Sequence, residues 1–329
     1  MVVKVFKTFL LIVIIGISTL ALYENREAVN NMRFRMMNWD PCTATSFVHN
    51  NYTINELPYA KLPYANNDQN NNPHHRNANN LYDDEGILLL EHNGKKIYHA
   101  VYLAQYSLHL LDKYHQTKNA EYLDEAVKIS GKLQGLALKI DSTLWFPYVY
   151  DFVLHGRRYM DAMRAPWYSA LAQGQILSLF TRLFEETQDT AYLAISHKVY
   201  NSFYHHKYNN DLWVSCIDKN NNIWFEEYPA EMPCFTLNGM IYAIYGIYDY
   251  YRITKRIDAK KLLMGAITTI ENNIDRYRNE GNASYYCLKH KIDAADYHEI
   301  HVQQLNKLFL ITGEQKFKEA SGQFESDTQ

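Results

Sequence analysis

The chain has 329 residues, room for one large domain or two ordinary ones at about 150 residues each. Charged residues make up 21% and hydrophobic ones 47%, which excludes a disordered chain and a polytopic membrane protein. A net charge of -3 excludes a chain-wide basic footprint, so no nucleic-acid partner is expected.

Lys4 and Lys7 precede an uncharged apolar run over 8–23. The run falls short of the roughly 20 residues that span a bilayer, and its basic flank predicts an N-in orientation. Residues 1–23 are therefore read as a signal peptide or a single-pass signal anchor. The rest of the chain is then extracytoplasmic: membrane-anchored, secreted or periplasmic, or in the Golgi lumen of a eukaryote. Sequons at Asn51 and Asn282 would matter only in a eukaryotic secretory host. Residues 24–93 read as a polar, Asn-rich stem or linker, densest at Asn66–Asn72, with His74 and His75 as solvated loop residues.

From residue 94 to 329 the pattern is helical and weakly repetitive. Apolar helices end at Thr117, Thr187, Thr254 and Thr312, at intervals of roughly 60–70 residues, and a new helix begins a few residues after each. Each unit is a helical hairpin. The helix before each turn, such as Met240–Tyr250, is apolar nearly all round and predicted to be inner; the helix after it carries more charge and is predicted to be outer. The expected fold is mainly α: an incomplete α/α toroid of about four hairpins, with a plain solenoid as the alternative.

Three long connectors, over 141–165, 207–231 and 279–296, contain short β-like runs. In an up-and-down array they all emerge at one end, opposite the four Thr turns. They would form a mouth lined by Tyr148, Tyr150, Tyr159, Tyr228, Tyr285, Tyr286 and Tyr297. With 28 tyrosines in the chain, stacking on sugars and phenol acid/base chemistry both become testable.

Trp224-Phe225-Glu226-Glu227-Tyr228-Pro229 brings two carboxylates and a phenol to this mouth. Strand alternation lets only one of the two glutamates face the cleft. Asp296 reads as an N-cap of the last inner helix. His298, Glu299 and His301 lack the His-Glu-x-x-His order of zinc proteases, so no metal is expected. A Cys287/His290 nucleophilic pair lacks an oxyanion-hole signature. The four cysteines contain no CxxC, which rules out a zinc ribbon. Basic residues gather in two loops, Arg157, Arg158 and Arg164 in one and Arg276, Arg278, Lys289 and Lys291 in the other, a local pattern that suits a polyanion.

Five ordered segments resemble the C-terminal helical domain of D-glucuronyl C5-epimerases, which convert D-glucuronate to L-iduronate within heparan-type chains. They are Pro166–Gln175, Trp224–Pro229, Phe235–Tyr242, Tyr286–His290 and Asp296–His298. The resemblance implies an incomplete α/α barrel and places the family's catalytic carboxylate and tyrosines on Glu227, Tyr228, Tyr286 and Tyr297. It places cleft residues on Asn238 and Tyr242, and admits a homodimer. The family's Tyr-Asp reads Tyr286-Cys287 here, and its Arg is Lys289, which turns a forked clamp into a point charge.

Epimerising a uronate at C5 removes a proton α to a carboxylate and returns one to the other face. Tyr297 and Glu227 are the expected proton-transfer pair, with Tyr228 and Tyr286 orienting or relaying. Lys289 and an Arg such as Arg164 would hold carboxylates, and Tyr168, Asn238, Tyr242, Asp296 and His298 would contact the acidic polysaccharide. No cofactor is expected, since the chain has neither a GxGxxG nor a P-loop. A polysaccharide lyase or an inactive glycan-binding homologue are the alternatives.

Overall fold

The computed structural model describes residues 42–65, 81–156 and 161–328. The predicted signal segment, the densest Asn tract with His74 and His75, and Arg157, Arg158 and Tyr159 lie outside the described residues. Among the described residues, no helix is long and apolar enough to cross a membrane.

Four helical hairpins carry the fold: α1 (Ala100–Thr117) with α2 (Ala120–Leu136), α3 (Ala170–Thr187) with α4 (Thr190–Tyr200), α5 (Leu237–Thr254) with α6 (Ile257–Asn273), and α7 (His298–Thr312) with α8 (Gln315–Asp327). The repeated threonine has a structural cause. Each Thr hydroxyl donates to the carbonyl four residues back (2.6–2.8 Å) and accepts from the amide two residues on (3.1–3.5 Å). One side chain thereby serves the last turn of the inner helix and the entry to the outer one. The next residue (Lys118, Gln188, Lys255 or Gly313) takes a left-handed conformation and closes the helix C-terminus. Asn119 and Asp189 then cap α2 and α4 through their side chains.

The inner helices pack in the order α1, α3, α5, α7, with each outer helix against its own inner partner. The fold is the expected incomplete α/α toroid. The α3–α5 crossing is the tightest, because a Cβ on Gly174 would lie 2.5 Å from the Ala243 Cα. Beside it, the buried Arg182 guanidinium forks onto Asp249 (2.9 and 3.3 Å).

The connectors emerge at one end. They hold the hairpins β4 (Leu138–Ile140) with β5 (Thr143–Trp145), β6 (Phe152–Val153) with β7 (Ala162–Met163), and β8 (Ser215–Ile217) with β9 (Ile223–Phe225), all antiparallel. Before α1, the strands β1 (Leu81–Tyr82), β2 (Leu88–His92) and β3 (Lys95–Ile97) make a small antiparallel sheet.

The expectation of a stem over 24–93 needs correction for its described parts. Cys42 is disulfide-bonded to Cys216, Asn50 and Tyr52 bond to Thr268 on α6, and Leu57 donates its amide to the Tyr248 hydroxyl. Further on, Tyr59 stacks on His115 of α1, the Pro63 carbonyl accepts from Arg182, and Lys307 of α7 donates to the Lys61 carbonyl. Residues 42–65 are thus a strap over α6 and across the gap between α7 and α1. Average polarity concealed sparse anchors: Cys42, Tyr52 and Leu62 are 1%, 5% and 1% exposed. The strap also explains why α6, an outer helix, is buried along most of its length.

Candidate active site

Two glutamates leave β9 in alternation, and they diverge as a strand requires. Glu226 turns inward, where its carboxylate accepts the amides of Cys234 and Phe235 (both 3.0 Å) and holds the loop entering α5. Glu227 turns toward the mouth. Its side chain lies against Gly239 on the first turn of α5, where any Cβ would collide with it (2.5 Å to the Glu227 Cβ). Burial pushes both carboxyls up to about 7.

The Tyr286 hydroxyl donates to the Glu227 carboxylate (3.3 and 3.4 Å) and lies 3.1 Å from the Tyr228 hydroxyl. The Tyr297 ring meets Tyr286 edge-on at 5.1 Å. Burial drives the phenols of Tyr228 and Tyr286 well above the ordinary range, with the Glu227 charge adding to it, so both are neutral donors in the free protein. Tyr297 is 38% exposed, and its phenol is shifted upward for the same reasons.

Glu227, Tyr228 and Tyr297 open on one cavity of about 290 Å³ at the mouth, together with Asn238 and Tyr242 from α5. The Asn238 Oδ1 is buried without a partner, a polar atom awaiting a donor. Tyr148, Tyr150, Phe152 and Trp167 form an aromatic wall, in which Tyr148 and Trp167 stack at 4.0 Å. A wider cavity of about 600 Å³, lined by Tyr64, Gln303, Gln304 and Lys307, shares Tyr242 and Ile300 with the first.

Several expected site residues lie elsewhere. Lys289 is buried and bonded to Asp161 (2.6 Å), because a lone ammonium inside the fold must find a counter-charge. Arg164 pairs with Asp151 on the exposed surface (2.5 Å) and does not line the cavity. Tyr168 packs edge-on against Trp145 in the core. Asp296 is exposed in a short 3-10 turn and caps nothing with its side chain; Tyr297 occupies the N-cap position of α7. His298 is structural: its Nδ1 accepts the Ser284 amide and its Nε2 donates to the Phe324 carbonyl. His301 is buried on Ser284, and burial pulls its imidazole down to about 3. Tyr285 lies outside the lining, beside Lys291.

Sequence reasoning missed the contribution of α1. His99, Tyr102 and Gln105 line the cavity across from Tyr297 and Ile300 of α7, because the toroid is open between these two helices. His99 is recognisable afterwards as the N-cap of α1. Burial lowers it to about 4, so it is neutral at physiological pH. Among the described residues, no Lys or Arg lines this cavity.

Residues 141–326 match the family described as "D-glucuronyl C5-epimerase C-terminus", more than half of the chain. The chain belongs to the D-glucuronyl C5-epimerase C-terminal family. Within the family's reach, a Caenorhabditis elegans D-glucuronyl C5-epimerase is 30% identical over 158 residues, 42% of this chain and 25% of that protein. An uncharacterised Methanocaldococcus jannaschii protein is 31% identical over 151 residues, 45% of this chain and 48% of that one. The chain thus spans a quarter to about half the length of these relatives. Among solved structures, it is similar to a sugar epimerase from a ruminal bacterium (TM-score 0.52, 16% identity, 76% of this chain and 65% of that one). It is also similar to the cellobiose 2-epimerase of Bacillus thermoamylovorans (TM-score 0.51, 14% identity, 69% and 59%). At such identities the likeness is one of fold.

Proposed function

We propose that this protein is a carbohydrate epimerase that inverts C5 of D-glucuronate residues within a glycosaminoglycan-like polysaccharide. One observation carries the reading: a buried carboxyl poised near neutrality, Glu227, shares one cavity with the Tyr297 phenol and is held by a second phenol, Tyr286. Removing a proton α to a carboxylate calls for a base whose affinity for protons is raised, and returning one calls for a neutral acid. Glu227 and Tyr297 supply this pair. Tyr286 and Tyr228 steady the Glu227 charge through their hydroxyls.

The C5 carbanion is an enediolate with two negative charges. Its carboxylate would meet neutral donors in this cavity, the Asn238 amide together with Gln105 and the Tyr102 phenol, in place of Lys289 and Arg164. A preorganised neutral donor of this kind contributes roughly 3 kcal/mol to the transition state. The aromatic wall suits the apolar face of a sugar ring. The second cavity, adjoining at Tyr242 and Ile300, gives a neighbouring sugar a place and supports a polymeric substrate. The Cys42–Cys216 disulfide supports an extracytoplasmic setting.

The test is hydrogen exchange. In D2O, the protein should place deuterium at C5 of a glucuronate polymer, and Tyr297→Phe should lower that rate at least about a hundredfold. Wild-type exchange with full activity in Tyr297→Phe would remove that residue from the mechanism. Absorbance from an unsaturated uronate, without exchange, would identify a lyase.

A further inference from the structure

Next to Tyr286, a cluster of side chains that lines neither cavity has no part in the reaction above. The Cys287 Sγ lies 3.2 Å from the His290 Nδ1 and 3.8 Å from the His155 Nε2, and all three atoms lie within 4.8 Å of one another. The His290 Nε2 is 3.0 Å from the Asp161 Oδ2, whose other oxygen is bonded to Lys289.

We propose that His155, Cys287 and His290 form a zinc-class metal site that pins the first connector to the third beside Tyr286. Tetrahedral zinc, with bonds of about 2.3 Å to sulfur and about 2.0–2.1 Å to nitrogen, separates a sulfur and a nitrogen ligand by about 3.5 Å. The two observed separations bracket that value. Asp161 bonds the far nitrogen of His290, the carboxylate–histidine arrangement that fixes the tautomer of a metal-binding imidazole and raises its basicity. Lys289 in turn anchors Asp161, which gives that buried pair a purpose away from substrate.

The backbone agrees. His155 has φ 53°, a left-handed conformation that histidine adopts more readily than most residues. Cys287 is held rigidly by a bridge to Thr236 and by the Lys291 amide on its carbonyl. A Cys287–His290–Asp161 nucleophilic triad would use the same contacts. It leaves the second imidazole on the sulfur unexplained, and Cys287 is 0% exposed and lines none of the cavities above. Three protein ligands leave a fourth position for water. Binding displaces the thiol proton to solvent.

This inference does not rest on the epimerase reading, and neither does its test. The full chain, with its disulfide intact, is stripped with a chelator and titrated with cobalt(II). One equivalent should produce a thiolate-to-cobalt charge-transfer band with tetrahedral d–d absorption, and zinc should erase both. Cys287→Ser should abolish the charge-transfer band. His155→Ala, a variant whose circular dichroism and unfolding midpoint report retained folding, should weaken cobalt binding beyond the roughly 10–100-fold typical of losing an outer partner. Cys234→Ser, which alters the thiol beside Asp161 (3.6 Å), should keep the band. Absence of the band in folded wild-type protein would overturn the proposal. So would its persistence in Cys287→Ser, or unchanged affinity in His155→Ala.

Discussion

Glu227 is placed by two constraints at once: strand alternation sends it to the face opposite Glu226, and Gly239 leaves the space it fills. Its carboxyl is raised from 4.5 to about 7, which sets two pH dependences. As the base, it must be ionised, so exchange at C5 should rise as pH passes through about 7. For stability, the folded state keeps a proton that the unfolded chain has released between those values. This contribution is therefore fully present below 4.5 and is lost as pH rises toward about 7. Glu227→Gln removes the charge that burial penalises. Exchange should fall at least about a hundredfold, while the stability of wild type relative to Glu227→Gln should decline from about pH 5 to about pH 8, a difference in which Glu226 and the oppositely acting His99 and His301, common to both proteins, cancel. Denaturant midpoints at the two pH values check this. The same pH dependence in Glu227→Gln as in wild type would show that Glu227 is ionised throughout.

The four hairpins share one turn chemistry. Thr187 donates to the Leu183 carbonyl (2.6 Å) and accepts the Asp189 amide (3.2 Å), and the other three threonines repeat the pattern. Thr187→Val keeps the shape and removes both bonds, so it should lower stability by about 1–2 kcal/mol, read as an earlier unfolding midpoint with exchange activity retained. This element was legible in the chain because its signals are local: a helix end, a turn and a cap lie within a few residues. The first two connectors were legible as β-like runs for the same reason, whereas the third, over 279–296, makes only isolated bridges at Tyr285 and Cys287. The α1 wall of the site was not, since a helix's neighbours across an open toroid depend on how many hairpins close the ring. His99, Tyr102 and Gln105 carry no local mark of facing Tyr297.

At the scale of the molecule, the strap over 42–65 holds the array from outside. Its disulfide joins Cys42 to Cys216 across 174 residues. Replacing both cysteines by serine should lower stability by about 2–5 kcal/mol, measured by denaturant unfolding, with the C5 exchange rate little changed because neither sulfur lines the cavity. The amino-acid sequence by itself determined the hairpins, their common turn, the end at which the connectors gather, and the alternation that separates Glu226 from Glu227. These follow from periodicities of 3.6 and 2 and from contacts a few residues long. Only the tertiary structure decided which charges are free to meet a ligand. Lys289, Arg164, Asp296 and His298 look alike as polar residues near a mouth, yet two are buried on partners and two lie at the surface. Whether a charge meets solvent, a ligand or a buried partner depends on groups over a hundred residues away, as Asp161 is from Lys289. The cost of burying it unpaired selects the partner only once the chain has closed.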